Sequence, residues 1–121
     1  MGKAKPQLPE KELKLYDQLV ALFPEIERKG ASMPYTSMNG HMFSFLKPDG
    51  EMAIRLPDDQ LQAFIKSYET KQTIQHGRVM KEYADVPESL LRRTGELKKH
   101  FGASIQYVQT LKPKATKRKR T

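Results

Sequence analysis

The 121-residue chain contains no cysteine, which excludes disulfides and thiolate chemistry and leaves its redox compartment unmarked. It also lacks long apolar runs: no window approaches 18 consecutive hydrophobic residues, so a membrane-spanning helix is not expected. The opening MGKAKPQLPEKE has no apolar core of the kind a secretory signal needs, and a cytoplasmic location is the expectation. The glycines never cluster into a phosphate-cradling loop. His41, His76 and His100 stand far apart, whereas a zinc site needs three or four convergent ligands. No GxSxG elbow is present, and no serine has a recognisable base partner. The expectation is therefore no catalytic residue, no metal, no cofactor and no enzyme.

Charge of one sign is scarce in the body of the chain, although the total is +8. Lys3 and Lys5 hold two of the positive charges, and Lys112, Lys114, Lys117, Arg118, Lys119 and Arg120 hold six more. Residues 6–111 then carry 14 basic and 14 acidic side chains. The basicity belongs to the ends, whereas a nucleic-acid reader is expected to carry a basic face on its folded part. At this length one domain is the natural reading, with a flexible arm at 1–7, a domain at 8–111 and a basic, disordered tail at 112–121.

What is present is a meander. Met33 to Pro57 reads as three strands joined by two turns. Asn39-Gly40 suits a type I′ hairpin, whose two central residues both need positive φ. Lys47-Pro48-Asp49-Gly50 supplies the second turn, with Pro fixing φ and Gly taking the left-handed position. In the second strand, alternation places Met42, Ser44 and Leu46 on one face and His41, Phe43 and Phe45 on the other. Both faces carry apolar bulk. A two-layer fold covers one of them, so the other is covered either by a loop or chain end, or by a second copy.

Helical patterns flank the meander. A first helix starts near Leu8-Pro9 and carries two apolar rows, Leu15, Leu19, Leu22 and Ile26 beside Leu13, Tyr16, Val20 and Phe23. Pro24 should kink or restart it, and Glu25–Gly30 reads as a last turn with a glycine cap. A second helix follows Asp58 and Asp59, read as caps, with Leu61, Phe64, Ile65 and Tyr68 at helical spacing. Lys71–Ile74 suggests a short edge strand, His76-Gly77 a turn and Val79–Asp85 another strand. Asp85, Pro87 and Glu88 resemble a capping box. The final helix then runs from about Pro87 to Leu111 on Leu90, Leu97, Phe101, Ile105 and Val108, with weak points at Gly95 and Gly102.

Two features invite a binding role. Arg55 lies on one strand and Lys81-Glu82 on another, with Arg78 just before it; if those strands are neighbours, their charges share a face and offer a small-anion site. The ordinary alternative is cross-strand ion pairs, which stabilise little. The tail cations, Lys112 to Arg120, either hold phosphate through counterion release, as weak, sequence-blind nucleic-acid binding, or simply solvate the chain end.

ERKGASMPYTSMNGHMFSFL, GEMAIRLPDDQ, HGRVMKEYADVP and YVQTLKPK, in that order, resemble the TfoX N-terminal domain family of small bacterial proteins, related to Sxy, over about Leu8 to Lys114. The resemblance implies an α+β, two-layer sandwich, α-β(3)-α-β(2)-α with an antiparallel sheet, similar to secretion-chaperone-like domains. Family namesakes assist a transcription activator in competence and carry a second, helical domain; the expectation here is the first domain on its own. A stand-alone member is expected to be a regulatory or interaction module with an unidentified protein partner or a second copy of itself.

Overall fold

The apolar rows of the first segment form helix α1 (Glu10–Ala21), with Glu10 and Glu12 in its positive first turn and Tyr16, Leu19 and Val20 buried. The computed structural model describes residues 10–30, 33–75 and 77–113. The expected arm, the helix start at Leu8-Pro9, His76 and the tail from Lys114 onward lie outside the described residues. Leu22, assigned to the buried row, is 43% exposed. The expected glycine-capped turn at Glu25–Gly30 is not helical. Pro24 lacks an N–H and stops the ladder, and Lys29 instead exchanges backbone bonds with Tyr35 at 2.8 and 2.9 Å. Gly30, at φ +87°, turns the chain so tightly that a Cβ there would lie 2.3 Å from the Met33 carbonyl oxygen.

The meander forms as the turn residues require. Strands β1 (Tyr35–Met38) and β2 (His41–Leu46) meet at Asn39-Gly40, with φ of 61° and 83°. Strand β3 (Met52–Arg55) follows the Lys47–Gly50 turn, in which the Gly50 N–H donates to the Lys47 carbonyl at 2.9 Å. Helix α2 (Asp58–Tyr68), strands β4 (Gln72–Gln75) and β5 (Arg78–Val86), and helices α3 (Glu88–Leu91) and α4 (Thr94–Thr110) complete the order. The five strands make one antiparallel sheet, β1-β2-β3-β5-β4. This is an α+β fold with its helices on one side of an antiparallel sheet.

Capping departs from the sequence reading. Pro57 and Pro87, not Asp58 or Asp85, occupy the N-cap positions of α2 and α3, and neither cap makes a side-chain hydrogen bond. Asp58 and Asp59 sit inside the first turn, where their charge suits the dipole. Asp85 is 4% exposed, because the sheet carries its side chain away from the helix. The final helix is two: the chain breaks at Arg93 (φ −99°, ψ 69°), not at either glycine. The short α3 buries both Leu90 and Leu91.

The main core lies between the helices and one sheet face. Phe43, Leu46, Met52, Ile54, Ala84 and Val86 meet Leu19, Leu61, Phe64, Leu97, Phe101 and Val108 there. Phe43 is the extra residue of a bulge, since Thr36 pairs with Ser44 but Ser37 pairs with Met42. The bulge corrects the expected alternation. Phe43 turns to the helices, where its ring lies 5.2 Å from that of Phe101, while Phe45 and Met42 occupy the opposite face.

Candidate functional site

Register brings Arg55 beside β5, opposite Tyr83. Its Nε donates to Glu82 Oε1 at 2.8 Å, and a terminal guanidinium nitrogen lies 2.7 Å from the same oxygen. The Tyr107 hydroxyl of α4 donates to Glu82 Oε2, and the Arg55 guanidinium stands 5.6 Å from the Tyr107 ring centre. Glu82 holds φ +74°, which costs a non-glycine residue about 1–2 kcal/mol. That cost is offset by these bonds and by the Leu56 N–H, which donates to the Glu82 carbonyl at 2.8 Å. Burial works against ionising Glu82, but the hydrogen bonds from Tyr107 and Arg55 and the charge of Arg55 hold its carboxyl below the usual range. The same burial and the bond to Glu82 push the Tyr107 phenol up.

The other two expected cations part company with this pair. Arg78 and Lys81 are exposed, and neither forms an ion pair among the described residues. They lie where β5 runs past the end of β3: only residues 83–86 pair with β3, while Val79 and Arg78 pair with Ile74 and Gln75 of β4. The result is a two-stranded ribbon projecting from the sheet. Ile74 and Val79 oppose one another on it, 51% and 58% exposed. The structure therefore joins Arg55 to Glu82, leaves Arg78 farther along on the β4–β5 tip, and keeps the exposed Lys81 out of the ion pair although its charge still helps to hold the Glu82 carboxyl low.

The sheet face away from the helices carries a second apolar cluster. Phe45, Ala53 and Tyr83 are buried, rimmed by Met33, Tyr35, Met42 and Met80, and no helical residue takes part. The Phe45 and Tyr83 rings are 5.8 Å apart, and the Tyr83 hydroxyl donates to the Met42 carbonyl at 2.5 Å. Burial pushes that phenol up to about 12. Met33, in the segment before β1, supplies part of the cover. The rest comes from half-buried side chains of the strands themselves.

Two polar constellations escaped the sequence reading. Lys47 and Asp85, both nearly buried, pair at 3.1 Å. Thr73 donates to Asp85 at 2.9 Å, and Glu51 approaches Lys47 at 3.2 Å. Burial would lower the Lys47 ammonium, but its bonds to Asp85 and Glu51 outweigh that and raise it. Between α2 and α4, Tyr68 donates to Glu96 at 2.6 Å and lies 2.8 Å from His100 Nε2. With its proton committed to Glu96, the Tyr68 oxygen accepts from His100, which selects the Nε2–H form of the neutral ring. Burial, then the charge of Lys99, lowers the His100 imidazole. A groove of about 320 Å³ runs beside this cluster, over Leu56, Phe64 and Lys99.

A signal for these contacts was present in α4. Glu96, His100, Ser104 and Tyr107 form a polar row at helical spacing, one position before the apolar row of Leu97, Phe101, Ile105 and Val108. Each polar member meets a partner, Ser104 by donating to the Arg55 carbonyl at 2.5 Å. The expected basic tail is described only at its root: Lys112 is exposed, its carbonyl 2.8 Å from His41 Nε2. Lys114, Lys117, Arg118, Lys119 and Arg120 lie outside the described residues.

No protein-family model, no curated protein and no solved structure matches this chain. Among the described residues, no group of three or more acidic, histidine or cysteine side chains converges to hold a metal ion. No described helix is long and apolar enough to cross a membrane.

Proposed function

We propose that this chain is a non-enzymatic, regulatory protein-interaction module of the TfoX N-terminal type, whose contact surface is the sheet face away from the helices. The observation that carries the reading is the second apolar cluster on that face, built without any helical residue and rimmed by three methionines. Methionine side chains are unbranched and polarisable, and adapt to partners better than branched ones do. The element order, which matches the expected α-β(3)-α-β(2)-α pattern apart from the division of the last helix into α3 and α4, is a second support. A small-anion site at Arg55 has less behind it, because Glu82 and Tyr107 already engage that guanidinium and its counter-charge.

The test places a photo-crosslinking amino acid at Met42 or at Met80 of the full chain, with Gln62 on the exposed side of α2 as the control. Adducts of discrete mass at Met42 and Met80, absent at Gln62, are expected. An adduct of twice the chain mass identifies a second copy, and any other mass identifies a different protein. Equal labelling at all three positions, or none at Met42 and Met80, refutes the reading.

A further inference from the structure

Helices α2 and α4 meet through rings. The Phe64 and Tyr68 ring centres are 4.9 Å apart, and His100 stands edge-on to both, at 5.1 and 5.3 Å. Polar bonds fix this cluster. Arg93 holds Glu96 at 3.1 Å, Glu96 accepts the Tyr68 proton, and the Tyr68 oxygen accepts from His100 Nε2. The groove of about 320 Å³ opens beside these rings, with Leu56 and Phe64 buried at its base. One face of α2 makes a wall, because Gln60, Ala63, Phe64, Ser67 and Tyr68 recur at helical spacing. At about 30 Å³ per water the groove has room for about ten waters, or for a molecule of one or two rings. A preformed concavity of about 300 Å³ or more, apolar at its base and with a few placed polar groups, is the usual form of a small-ligand site.

Charge selects the occupant. Among the described residues that line the groove there is no carboxylate, and Lys99 is the one cation. Lys99 is exposed and makes no ion pair among the described residues. Glu96, the acid of the ring cluster, is engaged by Arg93 and Tyr68 and is not part of the lining. His100 is neutral at pH 7, since burial and the charge of Lys99 lower its imidazole. The groove therefore offers aromatic surface, the neutral polar groups of Gln60 and Ser67, and one uncompensated ammonium.

We infer that the α2–α4 groove binds a small aromatic carboxylate, its ring against Phe64 and His100 and its carboxylate at the Lys99 ammonium. An open groove that holds about ten non-hydrogen atoms supports a Kd of about 0.1–1 mM. The site lies in the helix layer, away from the methionine-rimmed sheet face, so its failure leaves the protein-contact reading standing.

The experiment titrates the full chain at pH 7 with naphthalene-2-carboxylate and follows the backbone amide resonances by NMR. Saturable shifts centred on residues 60–68 and 96–100 are expected. Naphthalene-2-carboxamide, which has the ring without the charge, should bind about 2–5-fold more weakly. Decahydronaphthalene-2-carboxylate, which has the charge without the aromatic ring, should bind about 2–10-fold more weakly. K99Q should remove the preference for the carboxylate over the amide, and A63W should fill the groove and abolish binding. Both positions are exposed, so an unchanged Tm certifies each variant's fold. Shifts that do not saturate by about 10 mM overturn the proposal. So do shifts centred on Phe45 and Tyr83, equal affinity for all three probes, or binding that A63W leaves intact.

Discussion

Asn39 has two jobs, and substitutions can separate them. Its backbone takes φ 61° in the β1–β2 turn, and its side-chain amide donates to two carbonyls at the end of α4. Asn39→Gly keeps the turn conformation and removes both bonds. A net hydrogen bond contributes about 0.5–1.5 kcal/mol, and the 2.8 Å bond to Leu111 should be the better of the two. The extra backbone freedom of glycine and the relief of a non-glycine left-handed residue act in opposite directions, so the loss should be about 1–2 kcal/mol. Asn39→Ala loses the same bonds and also places a Cβ residue without a polar group in the left-handed region, adding about 1–2 kcal/mol. Asn39→Asp replaces the donor with a carboxylate beside the negative end of α4, adding about 0.3–1 kcal/mol of repulsion. The assay is urea unfolding at pH 7, with Gly the least destabilised and Ala the most. Below about pH 4 a protonated Asp can donate again, so the gap between the Asp and Gly variants should close there. Equal, negligible losses in all three would refute the claim that this hairpin tip caps the helix.

Three further variants have expected outcomes. Lys47→Met strands the buried Asp85 carboxylate with Thr73 and the 3.8 Å approach of Lys71, and should cost about 3–5 kcal/mol in denaturant unfolding; a loss below 1 kcal/mol would mean that water enters the site. Because the Lys47 ammonium is raised on folding, its contribution is full below its unfolded value and fades as pH rises through the folded one, so alkaline unfolding should be shallower in Lys47→Met. The Glu82 carboxyl is lowered on folding, so its contribution is present above its unfolded value and is lost as pH falls through the folded one; Glu82→Gln should flatten the acid limb of the stability profile, and an unchanged limb would contradict the Arg55–Tyr107 network. Gly102→Ala should stabilise by about 0.5–1 kcal/mol through helix propensity, since the added methyl meets the Phe23 ring at 3.7 Å, an ordinary contact; destabilisation on thermal melting would show that α4 and the α1 end pack more tightly.

Much of the fold was legible because the decisive signals are local. A positive-φ pair at Asn39-Gly40, a glycine-ended turn at Gly50 and helical spacing from Leu61 to Tyr68 need only near neighbours to act. The same holds for the neutral charge balance of residues 6–111, which placed the basicity at the chain ends. The candidate site was less legible. Arg55 and Glu82 were singled out, but their partner Tyr107 lies on another element. Arg78 and Lys81 were grouped with them, although a strand that outruns its neighbour carries Arg78 away and Lys81 stays out of the ion pair.

Tertiary structure alone decided which face each residue joined. One extra residue at Phe43 turned that ring toward the helices while leaving Phe45 behind, and no periodicity argument locates a bulge that depends on cross-strand register. Asp85 became a buried acceptor rather than a helix cap because its position in β5 brought it to Lys47 and Thr73, distant in sequence. The ends of α4 and of the β1–β2 hairpin met because the helix packs along the sheet, which gave the Asn39 side chain a second role. Backbone conformation is set over a few residues and is written in them; the pairing of polar side chains depends on which elements pack together, and that is settled only when the core closes.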